Sequence, residues 1–161
     1  MAGTKTALIV IDAQQEYFAP TGKVVLPGGP AAKKIAEALA WARRQDLPVL
    51  HVVHESRKPN APIFAPGSPA LEIHPEARPA PGEPVVQKHL PGAFTGTKLE
   101  EILRQAAHLG FQVTVLSDAT AAMAVKGPDG ETIPADQVHK THLGSLSGFL
   151  AEVKSVRDVA K

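Results

Sequence analysis

The stretch Thr6–Phe18, TALIVIDAQQEYF, decides the fold. Its first six residues, Thr6-Ala-Leu-Ile-Val-Ile11, form an unbroken apolar run rich in β-branched side chains, as in a parallel strand buried on both faces. The run ends in Asp12, so an acid is expected at the carboxyl end of a central strand, where open α/β sheets place their ligand crevice. A strand-end Asp also serves as an ordinary turn or cap residue, and position alone leaves both roles open.

Working outward, the chain alternates strands with helices. Pro30 suits the first position of a helix over Pro30–Gln45, whose apolar face is Ile35, Ala38, Leu39 and Ala42, with Pro48 as its stop. Val49–His54 reads as the second strand. Eight prolines between Pro59 and Pro84 exclude regular structure there and predict an extended ordered loop. Pro84–Lys88 is a short third strand that delivers Lys88 to its carboxyl end. Thr97 and Glu100 form a capping box for a helix that Gly110 stops. Phe111–Ser117 is a fourth strand ending in Asp118, and Gly127–Gly130 is a turn. A helix over Ala135–Ser147, a last short strand over Phe149–Val153 and a helical tail complete the chain. This alternation predicts a parallel sheet covered by helices, joined by right-handed crossovers.

A chain of 161 residues, 43% of them hydrophobic, can bury one sizeable core, so residues 1–161 are expected to form a single domain. Seventeen Lys and Arg against sixteen Asp and Glu leave a net charge of +1 with no basic run, which argues against a nucleic-acid partner. No signal-like amino terminus and no membrane-length apolar run is visible, so a cytoplasmic, membrane-free protein is expected. The chain has no cysteine, which removes disulfides, thiolate metal sites and a Cys nucleophile together.

Asp12 and Lys88 each end a strand, and a parallel sheet could bring them to one edge, where such a pair can move protons or hold an anion. A surface ion pair is the plainer reading of the same residues. His51 and His54 point to opposite faces of their strand and cannot chelate together, and His139 and His142 lack a carboxylate at matching spacing. No metal or other cofactor is therefore expected, although His54 could line the crevice from its strand end. Gly92–Lys98 has the wrong spacing for a phosphate loop, and Ser145 sits in no nucleophile elbow.

These residues resemble the isochorismatase-like cysteine hydrolases over nearly the whole chain. Ala7–Asp12 with Gln14 and Phe18 is similar to the family's opening motif, and Val86-Gln-Lys88 with Gly92-Ala-Phe94 and Thr97-Lys-Leu99 to its lysine motif. Val113–Ala119 and His142–Leu146 match in character and order. The resemblance implies a three-layer α/β/α sandwich around a parallel Rossmann-like sheet, usually in dimers or tetramers, acting on small amides or related C–N or ether bonds. It also implies Asp12 as general base and Lys88 as its partner, with Gln14, Phe18, His54 and Phe94 near the substrate. Zinc, which a minority binds through Asp-x-His after the second strand, is not carried over, because Pro48-Val-Leu-His51 lacks that Asp.

The family's third catalytic group, a Cys that attacks the carbonyl and forms a covalent intermediate, is missing. Leu99–Gln105 resembles the helix before the nucleophile segment and Ala106–Gly110 the end of the helix after it. About one βα repeat, roughly 20–30 residues, is thus absent near Gln105–Ala107, leaving five strands, one fewer than the family. Two expectations follow: a hydrolase scaffold with lost or weak activity, or a non-catalytic protein that binds a small ligand or assembles through a sheet edge exposed by the deletion.

Overall fold

The computed structural model describes residues 6–24, 29–89, 112–147 and 151–161. Strand β1 (Leu8–Ile11), helix α1 (Gly29–Arg44), strand β2 (Val49–His54) and strand β3 (Val85–Lys88) make the first half. Strands β4 (Thr114–Leu116), β5 (Val125–Lys126) and β6 (Thr132–Ile133), helix α2 (Ala135–Leu146), strand β7 (Glu152–Lys154) and helix α3 (Val156–Val159) make the second. The fold is an α/β sandwich. Among the described residues, its five parallel strands are hydrogen-bonded as a set of three, β1-β2-β3, and a set of two, β4-β7.

The register of the first set follows from its apolar pattern. Leu8 to Ile11 pair in parallel with Val49 to Val52, and His51 to His54 with Val85 to Lys88. Side chains at paired positions share a face, so Val10, Val49 and His51 lie on one side and Ile11, Val52, His54 and Lys88 on the other. Helix α1 covers the first side. Its Leu39 and Ala42 pack with Val10, Ala13, Val49 and Ala77 into a core rimmed by Ile35, Trp41 and Leu47. Full burial of a side chain such as Leu39 is worth about 1.5–3 kcal/mol.

Helix α1 ends before the proline expected to stop it. Asp46 adopts the left-handed conformation (φ 51°), its N–H bonding the Arg43 carbonyl at 3.2 Å and that of Leu47 the Ala42 carbonyl at 2.9 Å. This is a Schellman closure with an Asp where glycine is usual, and Pro48 merely follows it.

The proline-rich loop is ordered, with two single-turn 3-10 segments, Pro69–Leu71 and Pro75–Ala77, capped by Ser68 and His74. It is fastened to the first half at both ends. The Gln15 and His74 amides bond the Glu72 and Ala13 carbonyls, both at 2.8 Å. At the far end, Glu83 receives two Arg43 hydrogen bonds at 2.8 Å and the Ala80 amide at 2.8 Å, and lies 3.0 Å from His51 Nε2. The Arg43 guanidinium in particular holds the Glu83 carboxyl down at about 2.

The second half follows the sequence pattern with shorter elements. Thr114 to Leu116 pair in parallel with Glu152 to Lys154, and Gly127–Gly130 closes an antiparallel hairpin between β5 and β6. The Asp118 carboxylate accepts the Val156 amide at 2.8 Å and so ties the end of β4 to α3. The expected capped helix from Thr97 to Gly110 lies outside the described residues.

One expectation is corrected within β1. Val10 is buried, but Leu8 and Ile9 are only partly covered and Ile11 is 40% exposed, so the strand is not buried on both faces. The physical reason is that α1 covers only the Val10 side, while among the described residues β1 pairs on one edge alone.

Candidate active site

Asp12 follows the last residue of β1, where its own amide still bonds the Val52 carbonyl at 2.8 Å. It then turns the chain by taking the left-handed conformation (φ 58°), and its carbonyl accepts the Gln14 amide at 2.8 Å. An Asp tolerates this better than most side chains, and such strain is characteristic of functional positions. Lys88 ends β3, two strand spacings, roughly 10 Å, from the line of β1. Its long side chain crosses the carboxyl end of β2 and brings Nζ within 2.7 Å of Asp12 Oδ2.

This contact is not a surface ion pair: the Lys88 side chain is 1% exposed and that of Asp12 20%. Burial raises the Asp12 carboxyl above its usual value, against the hydrogen bond and charge of Lys88 and the field of His54. Its second oxygen, Oδ1, is buried with no hydrogen-bond partner among the described residues. An acceptor so placed is suited to take a proton or an N–H from a bound molecule.

Beside the pair opens a cleft of about 390 Å³ lined by Tyr17, His54, Ser56, Lys58, Phe64 and Lys88, with Ala61, Pro62 and Ile63 as its apolar wall. Phe64 organises it. Its ring packs edge-on against His54 at 4.7 Å and against Tyr17 at 5.3 Å, and its backbone is left-handed (φ 53°), a second strained position at the site. Burial, then the neighbouring Asp12 and Glu16, push the Tyr17 phenol up to about 12, which keeps it a neutral hydroxyl at ordinary pH.

Glu16 supplies the restraint that holds Phe64 in place. Its carboxylate is buried and accepts the Phe64 amide at 3.0 Å and the Lys23 amide at 2.9 Å. Gln14, also buried, donates to the carbonyls of His54 and Leu71, both at 2.9 Å, and accepts the His54 amide at 2.7 Å. The loop that carries the cleft wall is therefore clamped to the ends of β1 and β2 by two polar side chains.

Of the residues singled out from sequence, Asp12, Lys88 and His54 come together at the cleft. Gln14 spends its amide on backbone groups and positions the strand ends. Phe18 packs against His74, ring centroids 4.3 Å apart, outside the cleft lining. Phe94 lies outside the described residues. Glu16, Tyr17, Lys58 and Phe64 were missed, because nothing local links an acid at position 16 to an amide 48 residues away. Among the described residues no cluster of His, Asp and Glu could hold a metal ion, and no helix is long and apolar enough to cross a membrane.

Comparison with known proteins bears on the same elements. The isochorismatase domain profile matches residues 6–107. The chain is 33% identical to the isochorismatase family protein YddQ of Bacillus subtilis, over 97% of this chain and 99% of that protein. It is 32% identical to the secreted isochorismatase effector Isc1 of Verticillium dahliae, over 96% of this chain and 90% of the effector. The fold superposes with a TM-score of 0.88 on the crystal structure of an isochorismatase hydrolase candidate from Oleispira antarctica, 34% identical, covering 99% and 98% of the two chains. The YddQ alignment runs over 180 positions, whereas 97% of 161 residues is about 156, so about 24 aligned positions have no counterpart in this chain.

Proposed function

The chain belongs to the isochorismatase family, and on that premise we propose that its hydrolase scaffold binds a small carboxylated or amide ligand at Asp12 and Lys88 without thiol-based turnover. One observation carries the reading: the buried 2.7 Å contact of Lys88 with Asp12 stands beside an open cleft in a chain that contains no cysteine. The Lys88 ammonium attracts a carboxylate or carbonyl oxygen, Asp12 Oδ1 accepts a proton or an N–H, and the Phe64 side of the cleft takes the apolar part of the ligand. Hydrolysis would leave Asp12 to deprotonate water directly, with no thiolate to form the covalent intermediate, so turnover is weak or absent. We read residues 1–161 as one domain, cofactor-free, cytoplasmic and assembled as a dimer or tetramer. The second reading, a non-catalytic ligand-binding or oligomer-forming protein, draws on the pairing of β1 with β2 alone among the described residues.

Calorimetric titration with a panel of small carboxylates and amides tests this. Saturable binding that Lys88→Met weakens at least about tenfold is expected, with amide hydrolysis at least about 10³-fold below cysteine-bearing relatives. Hydrolysis at the rate of those relatives that disappears in Asp12→Ala would overturn the proposal.

A further inference from the structure

With the ligand's polar end at Asp12 and Lys88, a reading on which this inference rests, we propose that the ligand is an aliphatic amide or carboxylate whose hydrocarbon chain lies along Ala61–Phe64, and that Glu16 is the positioning residue that lets this wall read the chain's length. At φ 53° the bulky Phe64 is a backbone outlier that a glycine would relieve. Both of its backbone groups are tied. Its amide donates to Glu16 Oε2 at 3.0 Å, and its carbonyl accepts the Ser56 amide at 2.9 Å. The strained position secures the ring, which meets His54 edge-on and Tyr17 at a tilt. His54 ends β2, between the strands that lead to Asp12 and Lys88, so the apolar wall begins beside the charge pair.

Glu16 serves two segments at once. Its Oε1 accepts the Lys23 amide at 2.9 Å, and the Lys23 ammonium in turn donates to the Pro62 carbonyl at 2.9 Å. One buried carboxylate therefore fixes Phe64 directly and Pro62 through Lys23. A carboxylate accepts at both oxygens, whereas a glutamine in its place turns an NH2 donor toward one of the two amides. From Phe64 the surface continues through Ile63, Pro62 and Ala61, whose side chains carry no polar atom. Such a wall, fixed before the ligand arrives, takes methylene groups out of water without losing affinity to its own ordering.

Polar recognition and chain length are thereby separable. Lys88 acts on every ligand alike, while Glu16 and Phe64 act on each methylene that reaches the wall. Full burial of one methylene corresponds to about fourfold in affinity.

Calorimetric titration of the full chain with acetamide, propanamide, butanamide and pentanamide reads both quantities, in the parent and in Glu16→Gln, Phe64→Gly and Lys88→Met. Parent affinity is expected to rise about three- to fourfold per methylene, and Glu16→Gln and Phe64→Gly should each cut that rise to about twofold or less. Lys88→Met should lower the whole series by a common factor and keep the rise. An equal loss across the series in Glu16→Gln would make Glu16 a stabiliser of the fold alone and overturns the proposal. Should Glu16→Gln not fold, Phe64→Gly, which relieves the strained backbone, decides by itself: an undiminished rise overturns the proposal. A flat parent series that Lys88→Met still weakens removes the length reading and leaves the ligand site standing, whereas no binding of any amide to the parent removes both.

Discussion

The set β1-β2-β3 and the pair β4-β7 are built from the same kind of parallel strand, yet they bury very different shares of their side chains. Of the fourteen buried hydrophobic residues among those described, twelve lie between Val10 and Ala77, while Val138 and Val156 are the two from the second half. The first half also buries Gln14, Glu16, His51 and Lys88, each with hydrogen-bonding or ionic partners. Burying a lysine and a glutamate requires surroundings that hold every partner in place, because an unpaired charge in a dry site costs several kcal/mol. The candidate site therefore sits where packing is dense. Among the described residues, the second half, whose β4 and β7 contain no buried residue, carries no comparable polar network.

The largest expected effect comes from breaking the buried charge pair. Lys88→Met leaves the Asp12 carboxylate without its cation, which should destabilise the fold by about 3–5 kcal/mol in urea denaturation. The same change should raise the already elevated Asp12 carboxyl further, since Lys88 opposes the effect of burial, and carbon NMR of the Asp12 carboxyl reads this directly. A loss under about 1 kcal/mol would mean that the first half tolerates an isolated buried charge, and the contrast between the halves would fail.

Core truncations measure the contrast itself. Leu39→Ala, in the α1 core, should cost about 2–5 kcal/mol, whereas Val115→Ala, only partly buried in β4, should cost about 1 kcal/mol or less. Equal losses would show that the second half packs as tightly as the first. Below the Leu39 truncation but above that of Val115 comes the clamp at Glu83, where Glu83→Gln should cost about 1–3 kcal/mol. Its carboxyl sits at about 2 in the folded state against an ordinary 4.5, so between these values the unfolded chain binds the extra proton. The Glu83 contribution is thus fully present above about pH 4.5 and is lost as pH falls toward 2. A pH series of denaturation curves should show that dependence in the parent chain and a shallower one in Glu83→Gln.

Much of the fold could be read locally. The apolar run before Asp12, the helical spacing of Ile35, Ala38, Leu39 and Ala42, and the proline density after Pro59 each depend on neighbours within a turn or two, and their elements appear where expected. Boundaries were less legible. Asp46 ends α1 through a conformation that an Asp adopts only when the chain beyond it packs down, as Leu47 does here. The site was legible in its two charged ends and illegible in its restraints, because Glu16 and Phe64 meet only once the loop folds back over β1.

By itself the sequence determined that strands alternate with helices, that Asp12 and Lys88 terminate two of those strands, and that no thiol is available to them. These are properties of composition and short-range period, which the chain carries in any conformation. Only the tertiary structure decided that Lys88 reaches across β2 to Asp12, that Glu16 fixes the cleft wall, and that the parallel strands among the described residues are paired as three and two. Each of those outcomes depends on register and burial between residues far apart in the chain, and such contacts arise only when packing brings distant segments to the same few ångströms.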